Sequence, residues 1–323
     1  LEGFMNAITH APIVLSGLSR EAWLAERRKD ITSTEAAAIL GVSPYATAWE
    51  VWQRKAGHLS DVVEETDRMR WGSRLEPVIA QGLAEDHGLE VRSLGGVYMR
   101  HPRVARMGAS FDFEAARRTA PDEGWGLLEI KNVDSLVFRR EWITAEGEEE
   151  APLHIEVQVQ HQLAVSGRRW ACIGVLAGGN TAHLFVRKRD ETAIAAIEDA
   201  VERFWRSIEA NEPPSPDFRR DADSIRDLYA NSDPTAVLGE EARAEIAALL
   251  PRFLEARAAA KAAKEIEDEI RARLLHTLGP VEKVVIGDHT ITAKSIMRKS
   301  YVVEASTVRR LDIRTKAAKP AAG

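Results

Sequence analysis

Apolar positions along the front of the chain recur at helical spacing and then give way to alternation. Trp23, Leu24 and Arg27 share a face of a helix predicted over residues 20–28. A second helix is predicted over 33–40, opened by a T-x-x-E capping box of Thr32 and Glu35 and stopped by Gly41. Further helices are expected over 49–56 and 73–87, the latter ended by Gly88. Beyond it, 90–100, 105–115 and 124–132 carry apolar runs with partial alternation, separated by His-Pro and Pro-Asp-Glu-Gly turns, and read as strands. A helix over 153–166 stops at Gly167. A hairpin of 170–177 and 182–188 turns at Gly178-Gly179-Asn180, and a helix over 191–210 follows.

This order predicts an α/β fold: a single mixed sheet, restriction-endonuclease-like, with helices on its faces. The Asn-Glu-Pro-Pro-Ser-Pro stretch at 211–216 is the best boundary, giving a main domain over 5–217. An accessory extension is expected over 218–316. It holds a helix at 239–278, broken or kinked by Pro251, and a hairpin of 281–286 and 290–297 that turns at Gly287-Asp288 and continues toward Val303. Residues 317–323 read as a disordered tail, and Leu1 to Phe4, which precede Met5, as an appended remnant.

Composition changes this picture little. Hydrophobic residues make up 45% of 323 and charged residues 29%, as in an ordinary folded protein. No run approaches the roughly 20 apolar residues of a membrane span, no secretory signal is visible, and no membrane partner is expected. The single Cys172 excludes an internal disulfide and a cysteine zinc site, so a reducing cytoplasm, that of a bacterial host, is the expected setting. The net charge of −6 at first opposes a nucleic-acid partner, but it is uneven. Lys and Arg number 19 against 16 Asp and Glu from Phe218 onward, and 25 against 34 before it. A DNA site in the front part must gather its cations locally, and metal-binding carboxylates would add to the negative count.

The candidate chemistry lies in Gly108-Ala109-Ser110-Phe111-Asp112 and Leu127-Leu128-Glu129-Ile130-Lys131. Residues i and i+2 of a strand share a face, so Glu129 and Lys131 point together, and Asp112 on a neighbouring strand can reach the same point. Two carboxylates with the Ile130 carbonyl between the paired side chains suit Mg²⁺, which favours oxygen ligands and keeps several waters. Such an ion acidifies an attacking water and offsets phosphate charge, while Lys131 holds or deprotonates that water. An isolated E-x-K is more often a surface ion pair; the apolar neighbours and the Asp one strand earlier set this one apart.

At these residues the chain resembles the PD-(D/E)XK nucleases, and more specifically the phage-lambda exonuclease or YqaJ-type viral recombinase family. The resemblance spans about residues 20–216 in matching order: W-x-x-x-R with I-T-x-[ST]-E, then W-G-x-x-x-E, the D and E-x-K strands, and Q-x-Q on a helix. It implies Mg²⁺-dependent digestion (Mn²⁺ being an alternative) of linear double-stranded DNA with free ends, from the 5′ end. It also implies a single-strand annealing protein as recombination partner and a homo-oligomer, a trimeric ring around DNA. The resemblance puts Asp112, Glu129, Lys131 and Gln158 in catalytic places, with Asp112, Glu129, the Ile130 carbonyl and Glu76 at the metal. Gln160 follows Gln158 as a DNA contact. Arg27 and Thr34, with Ser33, take the anchor for a terminal 5′-phosphate, Arg28 being the alternative if the alignment slips by one. Met69 falls at the wedge that parts the terminal base pair.

The free N–H groups at the start of the 33–40 helix independently make a phosphate pocket that Arg27 could clamp. Gln158, His161 and Gln162 share a helix face, and a buried amide cluster is the rival reading. Phe111 stands where the family usually has proline and Phe113 where it often has glycine, so the turn after Asp112 is expected to be looser. Two other functions remain open from sequence: a structure-specific endonuclease or repair nuclease with the same metal site, and a catalytically inert DNA-binding recombination accessory.

Overall fold

The strand-like middle of the chain is divided more finely than its alternation suggests. The computed structural model describes residues 11–61 and 65–297. Its first part runs β1 (Ile13–Leu15), α1 (Arg20–Arg28), α2 (Ser33–Ile39), α3 (Ala48–Lys55), α4 (Asp67–His87), β2 (Leu89–Ser93), β3 (Tyr98–Arg100), β4 (Gly108–Ser110), β5 (Phe113–Arg117) and β6 (Gly126–Val133). It continues through α5 (Ser135–Glu141), α6 (Leu153–Ser166), β7 (Trp170–Ala177), β8 (Thr181–Lys188), α7 (Glu191–Glu209) and α8 (Ala222–Leu228).

The strands expected over 90–100 and 105–115 are each two strands in two different sheets. Five strands form a mixed sheet in the order β2-β5-β6-β7-β8, with β6 and β7 parallel and the other neighbours antiparallel. A separate antiparallel sheet has the order β1-β3-β4, and β1 was not anticipated. The chain leaves the larger sheet after β2 at a turn that sequence shows as Gly95-Gly96. Ser93 Oγ accepts from Gly95 N at 3.1 Å, and Gly96 takes φ +80°, which side chains other than glycine's disfavour. It returns at Phe111-Asp112, between β4 and β5.

Two apolar layers cover the larger sheet. Ile79, Ala80 and Leu83 of α4 pack with Phe113, Ala115, Leu128 and Ile130. On the other side Leu127, Ile173 and Val175 pack with Ile155, Val159 and Leu163 of α6 and Ile194 and Ile197 of α7. Leu127 and Leu128 therefore face opposite layers, and the alternation carries Glu129 and Lys131 to the α6 side. The α4 layer lies so close that a Cβ on Gly174 would come within 2.4 Å of Leu83 Cδ1. α4 also begins earlier than residue 73, at Asp67, because the Thr66 hydroxyl accepts from Met69 N at 3.2 Å and starts the helix there. α5, absent from the sequence reading, starts at Asp134, whose carboxylate accepts from Leu136 N at 2.7 Å.

The chain divides into two compact units after Leu228, not at the Pro-rich stretch. The segment past the prolines still belongs to the first unit, since Arg220 Nη2 donates to Ser43 O at 2.7 Å and Thr47 Oγ1 donates to Asp221 at 2.6 Å. In the second unit α9 (Glu240–Leu278) runs through Pro251 without the break that was one of the two expectations there, and none of its residues is buried. β9 (Lys283–Ile286) and β10 (His289–Thr292) form the expected hairpin, shorter than predicted. Residues 1–4, read above as an appended remnant, the expected tail at 317–323 and the continuation toward Val303 lie outside the described residues. Among the described residues no helix is long and apolar enough to cross a membrane.

Candidate active site

The break between β4 and β5 builds the site. β5 pairs with β6 only from Phe113 to Ala115, opposite Leu128 to Gly126, so β6 runs on past Leu128 with no strand on that side. Asp112 sits at the break rather than inside a strand, and its Oδ2 accepts from Ile130 N at 2.9 Å. In a strand the N–H and C=O of one residue point the same way, so the Ile130 carbonyl opens into the same gap.

On the α6 side Glu129 is 5% exposed, and both its oxygens are engaged. Lys131 Nζ donates to Oε1 at 2.6 Å, Gln158 Nε2 donates to the same oxygen, and Gln162 Nε2 donates to Oε2 at 2.7 Å. Lys131 also donates to Gln158 Oε1 at 3.2 Å. Gln158 and Gln162 are one helical turn apart, so α6 presents two amides to one carboxylate. Lys131 is part-exposed and Asp112 half-buried, which leaves solvent a way in to the otherwise closed pair.

Burial raises the pKa of Asp112 well above the usual carboxylate range, and the charge of Glu129 adds to the shift. Burial and Glu129 likewise push Glu76 up, so this helix carboxylate belongs to the same electrostatic cluster. Burial opposes the charge of Lys131, yet Glu129, Asp112 and Glu76 together hold its pKa above the usual value and keep it an ammonium. Three carboxylates thus act on one lysine, a formal excess of two negative charges. That deficit and the all-oxygen donor set suit a hard divalent cation. Among the described residues no three His, Cys, Asp or Glu side chains gather into a tight metal cage. Mg²⁺ needs none, because one or two carboxylates with a carbonyl and waters are its usual set.

The other predicted residues separate. Arg27 Nη1 donates to Ser110 Oγ at 2.8 Å, and its guanidinium lies over the Trp23 ring at 4.3 Å. Among the described residues it has no carboxylate ion-pair partner, while burial pulls its pKa down from the usual value. Arg28 instead points toward Asp61 at 3.9 Å, so Arg27 is the inward arginine. Thr34 is exposed and Ser33 is buried, so of the two only Thr34 presents a side chain, while the predicted phosphate pocket rests on their backbone N–H groups. The α2 terminus is already engaged: Glu35 accepts from Thr32 N at 2.9 Å and pairs with Lys55 at 2.9 Å. Met69 is 48% exposed on the first turn of α4, so it is not core packing.

Gln160 is a correction. Its Nε2 donates to Lys188 O at 2.9 Å and its Oε1 accepts from Asp190 N at 3.0 Å, which ties α6 to the start of α7. Two residues along a helix is about 200° of rotation, so Gln158 and Gln160 cannot both face the site. Gln162, named only as a neighbour on the helix face, takes the second amide place; its i+4 spacing from Gln158 was the available signal. His161 Nε2 meets Gly108 O at 3.0 Å, and burial lowers its pKa to about 4, so it is a neutral strut under β4.

Comparison with known proteins follows the same residues. Residues 22–169 match the YqaJ-like viral recombinase domain. The YqaJ-like segment therefore includes Arg27, Glu76, Asp112, Glu129, Lys131 and both site amides. Similarity to the uncharacterized protein YqaJ of Bacillus subtilis (strain 168) is 28% identity over 288 residues, covering 87% of this chain and 85% of that protein. That span is too long to fit within residues 1–228, so it reaches into the second unit. Among solved structures, the alkaline exonuclease LHK-Exo from Laribacter hongkongensis is 22% identical with a TM-score of 0.46, over 64% of this chain and 99% of that chain. The same exonuclease in complex with dAMP gives 23% and 0.47 over the same shares.

Proposed function

We propose that this chain is a divalent-metal-dependent exonuclease that digests linear double-stranded DNA from the 5′ end during viral or prophage recombination. The observation that supports this reading is the convergence of Asp112, Glu129 and Lys131 in the gap beside β6, with Gln158 and Gln162 fixing Glu129. Asp112, Glu129 and the Ile130 carbonyl, with Glu76 nearby, would hold Mg²⁺ or Mn²⁺. The bound ion supplies acidification of water and neutralisation of phosphate charge.

The chain's own residues orient the rest. Lys131 donates toward the scissile phosphate and screens the charge that develops there, or holds or deprotonates the attacking water. Gln158 accepts from Lys131 and donates to Glu129, which fixes the angle between them. Arg27, half-buried and without a carboxylate partner, is the natural contact for a terminal 5′-phosphate, with exposed Thr34 beside it. Met69, exposed on α4, would act as an apolar wedge at the duplex end. The single strand left behind would pass to an annealing protein.

Digestion of linear and closed circular DNA tests the reading, with 5′-phosphate and 5′-hydroxyl ends compared. The linear phosphorylated duplex should lose its 5′ label first and the circle should survive. Arg27→Ala should raise KM on phosphorylated ends roughly tenfold and erase the preference over hydroxyl ends. Cutting of closed circles would mean an endonuclease, and early release of the 3′ label would reverse the polarity.

Metal binding should also show in stability. Asp112 keeps its proton in the folded state above pH 3.8, where the unfolded carboxyl has lost it. Its contribution to stability therefore falls as pH rises through that window. A cation must displace this proton, so the gain in Tm from MgCl2 should grow as pH rises above 3.8. At a hundredfold excess over Kd the added stability amounts to about 2.7 kcal/mol. In Asp112→Asn the pH-dependent part should vanish; a gain in the parent protein that ignored pH would contradict the assignment.

A further inference from the structure

The stripe of α6 that holds Glu129 continues one turn beyond Gln158, to His154. His154, Gln158 and Gln162 fall at i, i+4 and i+8, and roughly 6 Å of helix rise separates His154 from Gln158. His154 is half-buried on this stripe, one turn from the Gln158 amide that meets Lys131 at 3.2 Å, and burial, then the charge of Lys131, lowers its pKa. Its ring meets Tyr45 edge to face, with centroids 5.6 Å apart and planes at 81°. Tyr45 is 78% exposed, an unusual position for a large aromatic side chain.

The turn that carries Tyr45 is held on several sides. Ser43 Oγ accepts from Tyr45 N at 3.2 Å and from Ala46 N at 3.4 Å. Arg220 Nη2 donates to the carbonyls of Ser43 at 2.7 Å and Ala46 at 3.2 Å. Thr47, the cap of α3, is fixed to Asp221. An exposed ring on a clamped backbone, oriented by a second ring, loses little freedom when a flat ligand lands on it.

We infer that Tyr45, supported by His154, is a stacking platform for the nucleobase next to the phosphate held at Lys131, a base-binding subsite of the nuclease proposed above. The chemistry at hand favours a base over a second phosphate. Of the carboxylates lining the adjacent groove beyond exposed Leu153, Glu141 pairs with Arg140 and Glu156 with Arg187, which leaves Glu150 to disfavour a phosphate, whereas the face of a neutral base carries no charge for it to oppose. Stacking ignores base identity, as an enzyme digesting any sequence requires. The platform also gives the front loop, outside the carboxylate cluster, a direct part in substrate handling.

The test is fluorescence anisotropy of a labelled 5′-phosphorylated duplex without metal, together with KM and kcat in Mg²⁺. Tyr45→Ala should weaken binding and raise KM about tenfold with a smaller change in kcat, while Tyr45→Phe should match the parent. Because Tyr45 is exposed, neither change should unfold the chain, which circular dichroism checks. Removing the base next to the cleaved phosphate should cost the parent protein the same factor and cost Tyr45→Ala nothing. Equal losses in both proteins, or unaltered binding by Tyr45→Ala, would overturn the platform. A parent protein that binds DNA but never cleaves it would remove the nuclease reading and leave the anisotropy comparison to decide the platform. Failure to bind any DNA would remove both.

Discussion

Glu129→Gln is expected to reduce Mg²⁺-dependent release of nucleotides by roughly 10³-fold or more. The residue combines two roles that glutamine cannot fill. As a carboxylate it gives the cluster the charge that would draw a divalent ion. As an acceptor it satisfies Lys131, Gln158 and Gln162 through two oxygens. Glutamine keeps one acceptor oxygen and turns an NH2 toward an existing donor, an unmatched buried pair worth about 1–3 kcal/mol. One term runs the other way: without the Glu129 charge, Asp112 should lose part of its raised pKa, which relieves strain in the metal-free protein. The variant should therefore fold, with a modest change in Tm, while losing most of the Tm gain from MgCl2. Undiminished nucleotide release would remove Glu129 from the chemistry.

Lys131→Met should lose a comparable factor in kcat but by a different route. The ammonium competes with a metal ion for Glu129, so its removal should leave Mg²⁺ affinity intact or raise it. The cluster keeps its carboxylates and loses the cation that screens them and the reacting phosphate. Asp112 and Glu76, on which Lys131 acts to lower the pKa, should titrate at still higher pH. Calorimetric titration with Mg²⁺ beside steady-state kinetics separates the two variants. Glu129→Gln loses binding and turnover together, and Lys131→Met loses turnover alone. Arginine is not a conservative replacement here, because its planar fork does not fit a point already shared by Glu129 and Gln158. Full kcat in Lys131→Met would show that the lysine is a structural ion pair, the commoner role of an E-x-K strand.

Helices with a clear end signal were legible from sequence almost to the residue. The capping box at Thr32 and Glu35 opens α2, Gly88 and Gly167 end α4 and α6 in left-handed conformation, and the 178–180 turn joins β7 to β8. The start of α4 was missed because Thr66 precedes a polar stretch without apolar periodicity. β1 escaped notice and β3 was merged with β2, because three-residue strands carry too few positions for alternation to register. Gln160 was carried over with Gln158 from the Q-x-Q motif, and on a helix that two-residue spacing turns the second side chain to another face.

The sequence by itself determined which groups could act: an Asp followed by E-x-K amid apolar strand residues, amides at helical spacing, and an arginine ahead of a capped helix. Local periodicity encodes these, because facing is fixed by 3.6 residues per helical turn and by two per strand repeat. Only the tertiary structure decided that β5 stops short, so that Asp112 takes the Ile130 N–H and its carbonyl opens into the gap. It alone set Gln162, not Gln160, against Glu129, and held Tyr45 on a turn clamped from residues 220 and 221. These outcomes depend on pairings between segments far apart in sequence, and alternation within one strand carries no record of where its neighbour ends.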